Sequence, residues 1–431
     1  MSTFERFERA IPELMTELSP ARVPDYFDDM LQKTAATRQR PSWSYPERWL
    51  PVEITARPLT SRPIPWRPLA ILALLALLLA AGLLTYVGSQ TQLPPPFGVA
   101  GNGVLLYRDG DGAIVSVDPT TGVRATVAAA SDTLLDPKIS RDGRRIALAA
   151  FFGTQTRQIF VAGIDGATRL AIAGEYREID QIEWSPNDTH LAIVSNVGGL
   201  QSITVAAADG STSKALPLGR QVSQIAYLPD GRLAVMAADR PGDDCPGADA
   251  TVAPCALFVV NPDGTGLDRL IAAADFHGIN TISPAPDGTT ILWVEWKTGA
   301  EGRLHLFDLA SRTDRRVPDD AFPNPYSINR AWFSPDGRSI LFDLFDTDGD
   351  QWATVPAAGG PPIRIGPKWP AYDGPKEAAW APDARSVIAR YQMNATTGEL
   401  WLLDPTGGGG DRRLDVEVPY LPIWQRVAPQ P

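Results

Sequence analysis

Few residues in this 431-residue sequence have the types and spacing that enzymatic chemistry requires. There are three histidines, His190, His277 and His305, and no Gly-x-Ser-x-Gly motif of the kind that presents a nucleophilic serine. His190 and His305 lie in strand-like runs, which favours packing or surface roles, and His277 precedes a strand. Because no nucleophile can be paired with a base, we predict no enzymatic activity and no catalytic residue.

The best metal candidate is the stretch DTDGDQW. Asp346, Asp348 and Asp350 have the one-three-five spacing of a calcium loop, but Gln351 occupies the glycine position and Ala357 the position of the closing glutamate. Asp-Gly sequences are also common between strands. We therefore predict a turn here, and no metal or cofactor anywhere in the chain.

The two cysteines, Cys245 and Cys255, both lie in GDDCPGADATVAPC. They are close in sequence, and a disulfide between them is expected if this part of the chain is exported; two free thiols remain the alternative. A zinc site is not expected, because the neighbouring residues do not supply four ligands.

One apolar segment predicts the topology. Residues 69–87 form a run of nineteen residues without a charge, long enough to cross a bilayer core of about 30 Å as a helix. We predict a transmembrane helix over residues 67–88, with Trp66, Arg67 and Tyr86 as interfacial anchors. A cleaved signal peptide is the alternative, but it requires a much shorter leader than the one present.

The charges around this segment predict its orientation. Arg57, Arg62 and Arg67 precede it, whereas the first basic residue after it is Arg108, so the N-terminus is expected in the cytoplasm and the large C-terminal part outside. Residues 1–67 hold ten Lys or Arg and nine Asp or Glu, which leaves a net charge of −12 on the remainder. So acidic a body is not expected to bind nucleic acid.

A motif recurs along the predicted exported part. The stretch AWFSPDGRSILF has five relatives, KISRDGRRIALAA, IEWSPNDTHLAIVS, IAYLPDGRLAVMA, ISPAPDGTTILWVE and AAWAPDARSVIARY. Pro fixes φ for a type I turn, Asp follows it, and Gly takes the left-handed position. The turn residues lie 45, 43, 57, 49 and 47 positions apart; they are Asp142, Asn187, Asp230, Asp287, Asp336 and Asp383. A structural role in turns explains them without a ligand.

Each copy is followed by a second hairpin, which makes four strands per repeat. A seventh second hairpin, AIVSVDPTTGVRATV, has no complete first hairpin before it, and a matching strand, VPYLPIWQRV, occurs at the other end of the chain. An all-β propeller of seven blades over residues 103–428, closed by the C-terminal strand, is therefore predicted. Six or eight blades are the nearby alternatives.

These repeats resemble the WD-repeat-like blades of TolB-like and tricorn-like propellers, across residues 100–428. The resemblance implies a fold more than a function, because such propellers serve as binding platforms, as substrate gates and as domains of enzymes. Propellers of the prolyl-oligopeptidase type precede a hydrolase domain, whereas this sequence ends with the propeller.

The N-terminal segment has a different character. Residues 1–40 show two short runs with helical spacing, residues 41–66 form a proline-rich basic linker, and residues 89–102 form a second linker after the span. This layout resembles membrane-bound anti-sigma factors, although the zinc-binding His-x3-Cys-x2-Cys motif of that group is absent. The resemblance implies a sigma factor as cytoplasmic partner of residues 1–50; a simple membrane anchor is the alternative.

The sequence thus supports three hypotheses. The first is a non-enzymatic, single-pass regulator or sensor in the cell membrane, whose extracytoplasmic propeller binds a ligand or protein partner. The second is an anchored, TolB-like scaffold of the cell envelope without signalling. The third is a propeller-type hydrolase.

Overall fold

The computed structural model describes residues 30, 32–33, 70–77, 79, 93–129, 137–152, 156–197, 199–243, 245, 255–272, 278–296, 302–319, 321–322, 326–347, 349–369, 377–392 and 398–429. The chain divides into two compact units, Met1–Gln90 and Thr91–Pro431. In the first unit, residues 70–77 and 79 are helical. The predicted helices of residues 1–40, most of the predicted span, and the anchors Trp66, Arg67 and Tyr86 lie outside the described residues.

Among the helical residues that are described, none belongs to a helix long and apolar enough to cross a membrane.

The described residues of the second unit form 29 strands in seven antiparallel sheets, which confirms the predicted seven-bladed propeller. Blade 1 consists of β29 (Ile423–Val427), β1 (Gly101–Arg108), β2 (Ile114–Val117) and β3 (Arg124–Ala128). Blade 2 consists of β4 (Lys138–Ile139), β5 (Arg145–Phe152), β6 (Thr156–Gly163) and β7 (Leu170–Ala171). Blade 3 consists of β8 (Arg177–Trp184), β9 (His190–Val197), β10 (Leu200–Ala207) and β11 (Ser213–Ala215).

The remaining blades follow the same order from the inner to the outer strand. Blade 4 consists of β12 (Val222–Tyr227), β13 (Leu233–Ala238), β14 (Cys255–Val260) and β15 (Asp268–Ile271). Blade 5 consists of β16 (Gly278–Pro284), β17 (Thr290–Trp296), β18 (Arg303–Asp308) and β19 (Thr313–Arg316). Blade 6 has an interrupted inner strand, β20 (Tyr326–Ser327) and β21 (Ala331–Phe333), followed by β22 (Ser339–Asp346), β23 (Asp350–Pro356) and β24 (Ile363–Trp369). Blade 7 consists of β25 (Glu377–Trp380), β26 (Val387–Gln392), β27 (Gly398–Leu403) and β28 (Arg412–Val418).

The C-terminal strand closes the ring, as predicted. β29 pairs with β1 in antiparallel register, with Trp424 opposite Leu105 and Val427 opposite Gly101. The side chain of Gln425 reinforces this pairing, because its Oε1 accepts a hydrogen bond from the backbone N–H of Val104 and its Nε2 donates to the carbonyl of Gly143 in blade 2. Closure gives β1 a hydrogen-bonded neighbour on both sides, β29 and β2.

The hydrophobic core is a ring of seven clusters, one at each interface between neighbouring blades. The cluster that joins blade 7 to blade 1 includes Ile388, Leu400, Leu105 and Trp424, so the closing strand contributes to the core as well as to the sheet. Each sheet therefore buries both faces, which explains the near-continuous apolar runs of the middle strands.

Candidate binding site in the central channel

The six repeated turn residues are held within their own turns. Oδ1 of Asp336 accepts hydrogen bonds from the Ser334 hydroxyl at 2.5 Å and from the Arg338 backbone N–H at 3.0 Å. The other five accept from the backbone N–H two residues ahead in the same way. These are Asx turns, in which the side-chain oxygen of each Asp or Asn is hydrogen-bonded within its own loop.

The stretch DTDGDQW, whose spacing is similar to that of a calcium loop, forms part of a hairpin between β22 and β23. The Asp346 carboxylate is paired with the guanidinium of Arg364, and the Asp346 carbonyl accepts from the Gly349 N–H at 3.0 Å. Asp348 lies outside the described residues. Across the described part of the chain, no group of three or more His, Cys, Asp or Glu side chains is placed to hold a metal ion.

Two of the three histidines are described, and each has polar partners of its own. Nδ1 of His305 lies 2.7 Å from Asp314 Oδ2 and Nε2 lies 3.2 Å from Glu295 Oε2, so two carboxylates flank the ring. Nδ1 of His190 lies 2.8 Å from the Thr189 hydroxyl on an exposed turn. His277 lies outside the described residues.

Cys245 and Cys255 are joined by a disulfide, with their Cα atoms 5.2 Å apart. Both half-cystines are buried against the cluster between blades 4 and 5. The bond therefore joins Cys245 to the first residue of β14.

A repeated polar position links the inner strands of neighbouring blades. The amide of Gln181 accepts from the Ile225 N–H at 2.9 Å and donates to the Ile225 carbonyl at 2.7 Å. Gln224 accepts from the Ile282 N–H at 3.0 Å, and Glu377 accepts from the Leu421 N–H at 3.0 Å. Each of these side chains belongs to an inner strand and reaches the next blade, so they tie blade 3 to blade 4, blade 4 to blade 5 and blade 7 to the segment that leads into β29.

Sequence reasoning missed these ties, although a signal was present. Gln181, Gln224 and Glu377 each lie three residues before the aromatic residue that ends the inner strand: Trp184, Tyr227 and Trp380. A polar residue at one position of an apolar repeat indicates a repeated hydrogen bond.

The inner strands enclose a cavity of 390 Å³ at the end of the channel where the inner-hairpin turns lie. Its aromatic walls include Trp184, Trp380 and Trp424. Its charged lining residues are Lys138, Arg141, Glu183 and Arg426. A concave site with apolar walls and a few charged groups is typical of ligand pockets.

Two arginines lie close together at this cavity. Burial lowers the pKa of Arg426 to about 10, and the positive charge of Arg141 contributes to the shift. Burial likewise lowers the pKa of Arg141, partly opposed by the nearby carboxylate of Glu183. The Arg141 to Glu183 contact is long, at 3.9 Å, and therefore offsets little of the cost of burying two like charges.

Residues 93–100, which we call the N-terminal strap, lie against the same end of the channel. Nη2 of Arg426 donates to the carbonyls of Pro95 and Gly98 at 2.9 and 2.8 Å, and the guanidinium of Arg141 lies 4.1 Å from the ring centre of Phe97. The Ala100 N–H donates to the Pro382 carbonyl at 2.9 Å. This segment, predicted as part of a linker, is thus held by blades 1, 2 and 7 before it enters β1.

A second cavity, of 570 Å³, lies between blades 3 and 4 on the turn face. Its lining includes Pro186, Asn187, His190, Pro229 and Tyr227. Although it is larger, its polar groups are largely engaged in turns: Asn187 Oδ1, for example, accepts from Ser185 and Thr189. We therefore treat the channel cavity as the main candidate site.

The comparisons with known proteins agree on the fold and identify no family. No protein-family model matches the chain, and no curated protein matches its sequence. Among solved structures, the β-propeller domain of the Trilobed protease from Pyrococcus furiosus is similar, with a TM-score of 0.52 and 14% identity over 70% of this chain and 87% of that one. That propeller is described as having an open velcro topology, whereas β29 closes the ring here.

Two further solved structures are similar to this chain. A prolyl endopeptidase structure has a TM-score of 0.54 and 10% identity over 77% of this chain, which covers 51% of the peptidase. TolB from Acinetobacter baumannii has a TM-score of 0.45 and 15% identity over 65% of this chain and 66% of that one. At such identities the class is defined by fold alone: a closed seven-bladed β-propeller with a charged, aromatic-lined channel.

Proposed function

We propose that this protein is a single-pass membrane regulator or sensor. In this proposal the extracytoplasmic propeller binds a ligand or protein partner, residues 67–88 span the membrane, and residues 1–50 engage a cytoplasmic partner, with a sigma factor as the first to test. The propeller acts by binding and not by hydrolysis.

The contact between the strap and the channel is the observation that carries the proposal. Arg141 and Arg426 line the cavity and also hold Phe97, Pro95 and Gly98 of the strap. The strap follows the predicted span by only a few residues, so a change in the channel is passed directly to the chain that leads to the membrane. A tether joined only to the rim of a blade would lack this connection.

The test is co-purification of the full-length protein with its cytoplasmic partner. Tagged full-length protein is cross-linked in cells, solubilised in a nonionic detergent and analysed by mass spectrometry. Two variants serve as controls: one lacks residues 1–50, and one carries the same residues in scrambled order. Recovery of a sigma subunit with the unaltered chain alone supports the regulator; equal recovery from all three chains, or none, contradicts it.

An anchored envelope scaffold is the second candidate, and the cavity between blades 3 and 4 favours it. That cavity is open on the turn face and lined by several prolines and Tyr227, which suits an extended protein segment. A scaffold retains its cellular role when residues 1–50 are replaced by an unrelated cytoplasmic leader, whereas the regulator loses it.

A further inference from the structure

The lining of the channel cavity is positively charged, in contrast to the acidic chain as a whole, which carries a net charge of −11. Lys138, Arg141 and Arg426 line the cavity, and Glu183 is the carboxylate among its lining residues. In a partly desolvated channel, this excess of cations attracts an anion more strongly than it would at an exposed surface.

The two arginines have unused hydrogen-bond donors. Nε of Arg141 and Nε of Arg426 are buried and have no hydrogen-bond partner among the described residues. The same is true of Nε1 of Trp424, whose side chain is 8% exposed. These three atoms have almost no accessible surface, so they lie within the cavity wall, and a bound ligand would meet the accessible parts of the same side chains.

The nearby carboxylates make their short hydrogen bonds with other groups. Glu183 approaches Arg141 at 3.9 Å through Nη2 and accepts from Gln181 at 3.2 Å. Asp188, which is buried beside the two arginines, accepts through both of its oxygens from the backbone N–H groups of Arg141 and Asp142, at 2.7 and 2.8 Å. Both carboxylates are therefore engaged elsewhere and leave the Nε donors unpaired.

We propose that the channel cavity binds a small aromatic carboxylate, with Arg141 and Arg426 on the carboxylate and the tryptophan walls on the ring. A carboxylate is planar and accepts several charge-assisted hydrogen bonds, which suits a cavity lined by two guanidinium groups. The volume of 390 Å³ lies within the range of small-molecule sites. Trp184, Trp380 and Trp424 supply flat apolar walls.

This inference rests on the proposed function only in using the channel as the recognition surface. The ligand is defined by its two chemical parts, a carboxylate and an aromatic ring. Its failure leaves the sigma-factor experiment unaffected, since that experiment does not use a ligand.

Three probe molecules distinguish recognition of the ligand's negative charge from recognition of its aromatic ring. The full-length protein, purified in a nonionic detergent, is titrated calorimetrically with indole-3-acetate, with its neutral amide indole-3-acetamide, and with acetate. We expect indole-3-acetate to bind at least about tenfold more tightly than either of the others, because each lacks one half of the recognised group. Raising the salt concentration from 50 to 500 mM weakens the binding of the acid and leaves that of the amide unchanged.

Arg141→Gln and Arg144→Gln form a matched pair on one turn. Arg141 lines the cavity, whereas Arg144 is an exposed residue three positions later that does not. Arg141→Gln is expected to weaken indole-3-acetate binding at least about tenfold, in line with the loss of a hydrogen bond to a charged group. Arg144→Gln is expected to change it less than twofold.

Three results would overturn the inference. Equal binding of the acid and the amide shows that charge is not recognised, and equal binding of acetate shows that the ring is not recognised. Absence of any binding by indole-3-acetate at 10 mM excludes an aromatic carboxylate site. The comparison among probes uses the unaltered chain, so it decides the question even if a variant fails to fold.

Discussion

The inner-hairpin turns and the wall of the channel lie side by side in the same strands, yet their polar groups differ. In the turns, each Asp or Asn is paired with its own loop, as Asp336 is with Ser334 and Arg338. On the channel wall, Arg141 and Arg426 keep buried donors without a partner among the described residues. The repeated turn residues therefore maintain the fold, whereas Arg141 and Arg426, which belong to no such turn pair, are the residues that we propose for recognition.

The largest effect is expected where a turn meets the closing strand. Gly143 has a φ of +71°, and a Cβ on it would lie 1.9 Å from the backbone carbonyl oxygen of Arg426. Gly231 has a φ of +92° in the equivalent turn of blade 4, with no atom within 4 Å of such a Cβ. Gly143→Ala is expected to cost about 3 kcal/mol or more, and Gly231→Ala about 1 to 2 kcal/mol from backbone strain alone.

Chemical denaturation of both glycine variants measures this difference. Equal losses of stability would contradict the close approach of the closing strand to blade 2.

The next effect concerns the ties between inner strands. Gln181→Ala leaves both the N–H and the carbonyl of Ile225 without their side-chain partner, which is expected to lower the free energy of unfolding by about 1 to 3 kcal/mol. Gln201→Ala serves as the control, because its side chain contacts the polar side chains of Asp180 and Gln221. Thermal unfolding should show a clearly larger decrease in Tm for Gln181→Ala; similar decreases would argue against a structural role for the tie.

The difference between turn residues and channel residues is tested by comparing one variant of each kind. Asp336→Ala removes two hydrogen bonds of the turn and is expected to cost about 1 kcal/mol without changing ligand binding. Arg141→Gln is expected to leave stability unchanged or raise it, because burial lowers the pKa of Arg141 and so disfavours its charged form in the folded state.

Denaturation and calorimetry on these two variants give two independent measurements. If Asp336→Ala impaired binding, or if Arg141→Gln strongly destabilised the fold, the separation between fold residues and recognition residues would be wrong.

The smallest effect is a pH dependence in an outer turn. Hydrogen bonds from the hydroxyl and backbone N–H of Thr120 lower the pKa of Asp118 to about 2 from 3.8. A depressed folded-state pKa stabilises the fold above pH 3.8, and this contribution is lost as the pH falls towards 2. Asp118→Asn should therefore be less stable than the unaltered chain at pH 5, with a difference that shrinks towards pH 2. A difference independent of pH would contradict the lowered pKa.

Most of the fold could be predicted from the residues of the repeat. Pro, Asp and Gly at successive turn positions specify a local conformation, and six such turns at blade-sized intervals leave few architectures other than a propeller. The unmatched strand near Trp424 likewise indicated ring closure before its pairing with β1 was known. Local backbone preferences and strand periodicity decide these features, so they can be predicted from the amino-acid sequence alone.

The candidate site could not be predicted in this way. Arg141 belongs to a turn of blade 2 and Arg426 to the C-terminal strand, 285 positions apart in sequence. Only ring closure brings them to one cavity, and only the packing of the strap determines which of their donors are used. The histidines do not mark the site either: His305 of β18 lies between Glu295 of β17 and Asp314 of β19.

The sequence by itself determined the repeat, the closing strand and the turn role of Asp336 and its equivalents, because each follows from backbone conformation and the alternation of apolar residues; it favoured seven blades over six or eight. The tertiary structure decided which charged groups share the channel, which of their donors stay unpaired, and that the strap is bound to the same arginines. Those properties depend on burial and on contacts between distant segments, and neither is fixed until the seven blades close around the axis.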